Sequence, residues 1–170
     1  MDNLGATPRR VTHRKDNMYN IQAPHQYGHL PIPRIFLAGS IEMGTAEHWQ
    51  VIVENRFQSY EGTILNPRRD DWDGLWKQSI HDVKFNEQVT WELDGLDYSN
   101  IVLVHFDVKT YAPITLLELG YLTRFNKPVI VSCGKEFYRR GNVEIVCDRR
   151  SNFDLCENLD DAMAELTEYL

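Results

Sequence analysis

Residues 101–131 read IVLVHFDVKT YAPITLLELG YLTRFNKPVI V, and this stretch decides the fold class. Ile101-Val102-Leu103-Val104 is a short apolar run of the kind that forms a buried strand. Pro113 suits the first turn of a following helix, because its missing N–H needs no partner there, and Asn126-Lys127-Pro128 ends that helix. Val129-Ile130-Val131 then begins a second strand. This order of strand, helix and strand predicts a βαβ unit with a right-handed crossover.

The same alternation continues on both sides of this unit. Ile35-Phe36-Leu37-Ala38 and Thr63-Ile64-Leu65 are short apolar runs upstream, and Val143-Glu144-Ile145-Val146 is predicted as the last strand. Apolar residues at helical spacing predict further helices at 45–60, at 79–96 and from about residue 159. Strands that alternate with helices predict an α/β fold with a doubly wound, parallel, five-stranded sheet and helices on both faces.

Composition limits the size of the domain and the class of its partners. The chain has 170 residues, of which 42% are hydrophobic, and this is enough for one sizeable core. Residues 1–33 are polar and lack helical or strand period, so we predict a flexible N-terminal arm followed by one domain over 34–170. The formal net charge of −7 argues against nucleic-acid polymers and anionic membranes as partners, since both require a basic surface. We expect a small-molecule substrate.

The cysteines and the apolar runs predict a cytoplasmic protein. Cys133, Cys147 and Cys156 are odd in number and lack C-x-x-C spacing, so we expect reduced thiols. No apolar run reaches the roughly 18 residues of a membrane span, and the first residues lack the apolar core of a secretory signal. The histidines include no pair with metal-ligand spacing, and the chain has neither G-x-G-x-x-G nor a P-loop. We therefore predict no metal and no cofactor.

Glu118 is the strongest candidate for a catalytic residue. In the predicted helix it has Ile114 and Thr115 one turn before it and Tyr121 and Leu122 one turn after it, with no cation among them. An ionised carboxylate with such neighbours is costly to bury unless the site pairs it or uses it. We therefore interpret the protein as an enzyme.

Glu92 is the candidate second carboxylate. It lies near the end of the helix that precedes the 101–104 strand, and no cation stands three or four residues from it. Asp94 and Asp97 fall on the side away from the apolar residues of this helix, where a solvated acidic face is the better interpretation. Only Glu92 is therefore assigned to the site from this helix.

Loops that follow the strands are expected to complete the site, because ligands of doubly wound sheets bind beyond the carboxyl ends of the strands. Gly39-Ser40-Ile41 can hold a phosphate or a sugar hydroxyl through backbone N–H groups and the Ser40 hydroxyl. The alternative is a turn in which Ser40 or Thr45 caps a helix. We expect this loop to meet Asn66 to Asp70, His105 to Asp107, and Glu118.

Two further segments have open interpretations. The loop that contains Asn66, Arg68, Asp70 and Trp72 can stack a planar base and hydrogen-bond its edges, or can be a solvated turn over two tryptophans. Lys135, Arg139 and Arg140 precede Asn142, and this basic cluster can bind a substrate phosphate or can be surface charge.

Four segments together resemble one known family. They are Phe36-Leu37-Ala38-Gly39-Ser40-Ile41, Asn66-Pro67-Arg68, Trp91-Glu92-Leu93 and, above all, Leu117-Glu118-Leu119-Gly120-Tyr121. These residues resemble the nucleoside 2-deoxyribosyltransferase family, and the resemblance covers about residues 34–147. Gly39-Ser40-Ile41 also resembles the related deoxynucleoside monophosphate N-glycosidases.

The resemblance implies a flavodoxin-like fold, a homodimer or higher homo-oligomer, and a nucleoside or nucleotide substrate. It makes Glu118 the nucleophile that attacks the anomeric carbon of a 2′-deoxyribonucleoside or its 5′-monophosphate, and Glu92 the second acid. Other members carry an Asp six residues before the nucleophile, where this chain has Ala112, and Asp107 is the nearest acid on that loop. The resulting candidates for substrate binding are Gly39, Ser40, Ile41, Asn66, Arg68, Asp70, Trp72, Asp107 and Asn142.

Elementary chemistry agrees with these roles. Cleavage of an N-glycosidic bond passes through an oxocarbenium-like sugar, which a carboxylate stabilises and can trap covalently. The departing base needs a proton, which a second carboxyl group with a raised pKa supplies. Transfer to another base and transfer to water both remain open. The alternative function is a catalytically inactive module of the same fold that binds a nucleoside or nucleotide.

Overall fold

The computed structural model describes residues 17–41 and 47–170, and these described residues contain six strands and five helices. The strands are β1 Met18–Gln22, β2 Arg34–Gly39, β3 Gly62–Asn66, β4 Ile101–Phe106, β5 Val129–Cys133 and β6 Phe153–Cys156. The helices are α1 Trp49–Phe57, α2 Val83–Tyr98, α3 Pro113–Leu122, α4 Arg140–Asp148 and α5 Leu159–Thr167.

All strand pairs are parallel, and the sheet order is β1-β3-β2-β4-β5-β6. Without β1, the remaining five strands have the order of flavodoxin-like sheets, in which the first strand of the set lies between the second and the third. The strand order reverses between β2 and β4. The predicted α/β class and doubly wound parallel sheet are therefore confirmed, but the sheet has six strands rather than five.

Strand β1 lies inside the segment 1–33 that the sequence predicts as a flexible arm. It pairs with β3 along its whole length, from Met18 opposite Gly62 to Gln22 opposite Asn66. As an edge strand it has few apolar residues, with Met18 and Ile21 buried and polar side chains between them, so its apolar pattern is weak. The sheet therefore includes Met18–Gln22 from the predicted arm of residues 1–33, and residues 1–16 of that segment lie outside the described residues.

The prediction of the last strand at Val143 to Val146 is wrong, because this segment belongs to helix α4. Val143 and Cys147 are buried one helical turn apart, while Ile145 between them is 62% exposed, and this is helical periodicity. The short apolar run in the sequence resembles a strand because alternation over four residues does not distinguish the two periods. The sixth strand lies further on, at Phe153–Cys156.

Helices cover both faces of the sheet, as predicted. On one face, α2, α3 and α4 pack with the side chains Trp91, Leu96, Leu119, Leu122, Val143 and Cys147. On the other face, α1 and α5 pack with Trp49, Val53, Phe57, Ala162, Met163 and Leu166. The helix predicted over 45–60 is found at Trp49–Phe57; residues 42–46, with the proposed Thr45 cap, lie outside the described residues. No helix among the described residues is long and apolar enough to span a membrane.

Helix α2 is fixed at both ends. At its start, the Asp82 side chain accepts a hydrogen bond of 3.0 Å from the backbone N–H of Phe85, which is an N-cap. At its end, the Lys127 ammonium donates to the carbonyls of Leu96, Asp97 and Ser99 at 2.6, 3.0 and 2.6 Å. Carbonyls at a helix C-terminus lack intrahelical partners and carry partial negative charge, so this cation satisfies them.

An N-terminal clasp, residues 23–30, holds the middle of α2. The Tyr27 hydroxyl donates to the Trp91 carbonyl at 3.2 Å, and the Trp91 indole N–H donates to the His25 carbonyl at 2.9 Å. The Tyr27 ring also stacks on Tyr98, with 5.3 Å between ring centroids. The clasp therefore fixes the helical turn that carries Glu92.

Candidate active site

Glu118 lies on the buried side of α3, beside Thr115, Leu119 and Leu122. Its side chain is 7% exposed, and no described residue donates a hydrogen bond to its carboxylate. Burial raises the pKa of Glu118 well above its ordinary value, and the neighbouring Glu92 carboxylate raises it further. The sequence interpretation of Glu118 as a buried carboxylate without a cation therefore agrees with its environment.

Glu92 is partly buried on α2 and lies close enough to Glu118 for its charge to raise the Glu118 pKa. Burial raises its pKa to about 7 from an ordinary value of 4.5. The Gln88 side-chain amide opposes this effect, since its Nε2 donates a hydrogen bond of 2.7 Å to Glu92 Oε1 and stabilises the charged form. Glu92 and Glu118 thus come from two neighbouring helices and act on each other electrostatically.

The two carboxyl groups titrate as a pair. Both pKa values are raised by burial, and repulsion between two negative charges opposes ionisation of the second group. Burial and this repulsion together favour states in which the pair holds a proton. A pair that holds one proton contains an acid and a base in one site, which is the combination that glycosidic cleavage uses.

Strand β2 ends against β4 at the point where the strand order reverses. A Cβ added to Gly39 would lie 2.6 Å from the His105 carbonyl oxygen and 2.6 Å from Trp49 Cζ2, so only glycine permits this approach. The imidazole of His105 lies against the Trp49 ring, 5.1 Å between centroids, and burial lowers its pKa to about 4. His105 is therefore neutral at physiological pH.

Ile41 is also a candidate for substrate binding. It is the last described residue before 42–46.

The Ser40 hydroxyl is used inside the protein. It is 2.7 Å from the Thr110 hydroxyl and accepts a hydrogen bond of 3.1 Å from the backbone N–H of Asp107. The Thr110 hydroxyl lies 2.9 Å from the Asp107 carbonyl, to which it donates. This ring of hydrogen bonds ties the end of β2 to the loop that leads to α3, so Ser40 helps to place the helix of Glu118.

Asn66 and Arg68 are buried at the end of β3 and bind protein groups. The Asn66 amide donates to Glu54 Oε1 at 2.7 Å, and its Oδ1 accepts from the Arg68 backbone N–H at 3.0 Å. The Arg68 guanidinium donates to the Glu47 carbonyl at 3.2 Å, and burial lowers its pKa. Both side chains support the loop, and Arg68 brings a cation to this edge of the sheet.

The other predicted binding residues lie nearer the surface. Asp70 is exposed and accepts from the Gln22 amide at 3.2 Å. The Trp72 ring is 37% exposed and lies 4.9 Å from the Trp76 ring. The Asp107 carboxylate is partly buried and accepts from the Lys109 backbone N–H at 2.9 Å.

Asn142 lies on α4, in a groove between α3 and α4 with a volume of about 350 Å³. The groove is lined by Leu116, Leu119, Gly120, Arg139, Asn142, Val143 and Val146. Glu92 and Glu118 are not among these lining residues, but the groove includes Leu119 and Gly120, which directly follow Glu118. Within residues 17–41 and 47–170, no group of three or more His, Cys, Asp or Glu side chains is placed to hold a metal ion.

Sequence reasoning missed the contributions of Gln88 and Thr110. The position of Gln88, four residues before Glu92, was a signal for contact on one helical face, but an amide at that position is also common on helix surfaces. Thr110 gave no signal, because its contact with Ser40 joins residues 70 positions apart.

The fold and the site together define a flavodoxin-like α/β protein with two neighbouring carboxyl groups, Glu92 on α2 and the buried Glu118 on α3. The family described as "nucleoside 2-deoxyribosyltransferase like" matches residues 32–137, more than half of the chain and a range that includes both carboxylates. The chain belongs to this family, and the resemblance stated from the sequence is confirmed. No curated protein matches the chain. Membership supports the interpretation as an enzyme with deoxyribosyltransferase-like activity.

Proposed function

We propose that this protein cleaves the N-glycosidic bond of a 2′-deoxyribonucleoside or its 5′-monophosphate and transfers the deoxyribose to another base or to water. The observation that carries the proposal is the pair Glu118 and Glu92, a buried and a partly buried carboxyl group on adjacent helices, close enough for the charge of Glu92 to raise the pKa of Glu118. Such a pair is costly to keep in a core, so its retention favours use in chemistry.

In the first step, a Glu118 carboxylate oxygen attacks C1′ of the sugar and forms a C–O bond while the C1′–N bond breaks. The bonding electron pair leaves with the base nitrogen, which takes the proton from Glu92. In the second step, a free base or water attacks C1′ and gives its proton to the Glu92 carboxylate. Glu118 leaves as a carboxylate, so both residues return to their initial state.

Substrate binding is consistent with the proton position that these steps require. In the absence of substrate, burial favours a proton on either carboxyl group. Positive charge that develops on the sugar next to Glu118 stabilises its ionised form and leaves the proton on Glu92. The developing cation thus selects the active arrangement of the pair.

For recognition we propose the loops at the carboxyl ends of β2, β3 and β4, with Asn142 on α4 as a further contact. Trp72 supports this proposal because part of its ring is exposed and can stack on a base. Arg68 supports it because a cation at this edge of the sheet can attract a 5′-phosphate. The proposed residues are Gly39, Ser40, Ile41, Asn66, Arg68, Asp70, Trp72, Asp107 and Asn142.

We also propose a cytoplasmic location, because Cys133, Cys147 and Cys156 are free thiols, as is usual in a reducing compartment. We further propose a homodimer. Ile114 and Leu117 on α3 are 58% and 68% exposed, and Leu93 on α2 is 38% exposed. A second copy of the chain would remove this apolar surface from water. Light scattering after gel filtration should give a dimer mass that Leu117→Glu converts to the monomer, and a wild-type monomer at all concentrations would contradict the proposal.

The decisive experiment incubates the protein with 2′-deoxynucleosides and their 5′-monophosphates, with and without adenine, and separates the products by chromatography. We expect free base with the wild type and none with Glu118→Gln. A new adenine nucleoside identifies transfer, and base release without it identifies hydrolysis. Asp94→Asn is the matched control, since it neutralises an exposed acid on α2 and should retain full activity. Full activity in Glu118→Gln would refute the nucleophile.

Binding without turnover is the alternative outcome. If no substrate yields free base while calorimetry detects nucleoside binding, the protein is an inactive binding module of the same fold. In that case Glu118→Gln should leave the affinity unchanged.

A further inference from the structure

Gln88 is a buried polar side chain beside the Glu92 carboxyl group. It lies on α2 one turn before Glu92 and is 2% exposed. Its Nε2 donates two hydrogen bonds, one of 2.7 Å to Glu92 Oε1 and one of 2.8 Å to the Pro67 carbonyl. The amide therefore links the carboxyl group on α2 to the loop that follows β3.

The orientation of this amide is fixed by its two neighbours. Both the Pro67 carbonyl and the ionised Glu92 carboxylate accept hydrogen bonds, so the nitrogen must face them. The opposite orientation would set the Gln88 carbonyl oxygen against two acceptors. As oriented, that oxygen is buried and has no hydrogen-bond partner in the part of the chain that the structure describes. An unpaired buried acceptor is unfavourable, so the contacts of the nitrogen must outweigh it.

We propose that Gln88 is a positioning residue of the reaction: its amide holds the Glu92 carboxyl group in place and sets the acidity with which Glu92 protonates the leaving base. This inference rests on the proposed function. Gln88 acts through Glu92 and does not touch the reacting atoms. A neutral donor is suited to this task, because it stabilises the Glu92 carboxylate without the full charge of a lysine or arginine.

Among the groups around Glu92, Gln88 is the one that favours its ionisation. Burial disfavours the charged form of Glu92, and a negative charge on Glu92 and one on Glu118 of α3 oppose each other. The negative charges of Asp94 and Asp97, on the same helix, instead raise the pKa values of Tyr27 and Tyr121. The Gln88 amide is the hydrogen-bond donor that favours the Glu92 carboxylate. Its removal should therefore leave burial and repulsion unopposed, and Glu92 should hold its proton to higher pH.

The test uses Gln88→Met, which keeps the length of the side chain and removes the donor. NMR titration of the labelled Glu92 carboxyl carbon should show a midpoint raised by about one to two pH units, the shift expected for loss of a hydrogen bond to a charged group. Since Glu92 must be protonated to act as an acid, the fall in kcat at high pH should move up by the same amount. Thr90→Val, an exposed change on the same helix, should shift neither.

A second measurement needs no change at Gln88. In the wild type, the side-chain amide signals of Gln88 should titrate with the midpoint of Glu92, and Glu92→Gln should abolish that titration. Flat Gln88 signals, or an unchanged Glu92 midpoint in Gln88→Met, would overturn the inference. Absence of turnover in the wild type would instead refute the proposed function, because neither NMR titration depends on catalysis.

Discussion

Glu92→Gln should make the protein more stable at high pH while it removes activity. In the native state, burial raises the pKa of Glu92 to about 7, against 4.5 for the exposed group. Between these values the native state binds a proton that the unfolded state has lost, so the free energy of unfolding falls as pH rises. The wild type should therefore have its full stability from this group below pH 4.5 and lose it by about pH 7.

The size of the loss follows from the shift. Two and a half pH units at 1.36 kcal/mol each correspond to about 3 kcal/mol, which is a large fraction of the stability of a single domain. For a chain of this length the equivalent change in Tm is roughly 6 to 12 °C. A glutamine at position 92 does not ionise and still accepts the hydrogen bond from Gln88, so its variant lacks this loss.

The assay is urea unfolding of both proteins at intervals from pH 4 to pH 8.5. The curves for wild type and Glu92→Gln should agree in their m values and should diverge with rising pH, with the variant more stable by about 3 kcal/mol above pH 7. Asp94→Asn controls for loss of one negative charge on α2 and should follow the wild type. Parallel pH dependences for wild type and Glu92→Gln would refute burial as the cause of the raised pKa.

Three further changes test how the site is held. Lys127→Met removes the cation that binds three carbonyls at the end of α2, and thermal unfolding should show a loss of about 2 kcal/mol. Gly39→Ala places a methyl group against β4 and Trp49, so calorimetry should show a loss of about 1 to 3 kcal/mol. Ala112 has φ of 44°, so Ala112→Val should cost about 2 kcal/mol in urea unfolding, while Ala112→Gly should stay within about 1 kcal/mol of wild type.

Local sequence patterns were sufficient for the centre of the sheet. Ile101–Phe106 and Val129–Cys133 are buried on both faces, so their apolar runs are continuous and easily recognised. Strand β1 was missed because an edge strand has weaker apolar periodicity and depends on pairing with β3, 44 residues later in register at Met18 and Gly62. Helix α4 was misread because four residues do not separate helical from strand period.

The candidate site shows the same division between local and distant information. Glu118 and Glu92 were identified because no cation lies near them in the sequence, and among the described residues neither carboxylate forms an ion pair. The role of the Ser40 hydroxyl depends on Thr110, and the second contact of Gln88 depends on Pro67. Contacts between distant residues are set by the topology of the sheet, and a single sequence carries no direct signal of them.

We expect the contacts that hold α2 to oppose the repulsion within the carboxylate pair. Repulsion between Glu92 and Glu118 tends to separate α2 from α3, and it grows as the pair ionises. The clasp fixes the middle of α2 through Trp91, and Lys127 fixes its end. If these contacts oppose the repulsion, their loss should matter more at high pH. Lys127→Met should therefore destabilise the wild type more at pH 8 than at pH 5, and this difference should shrink in the Glu92→Gln background.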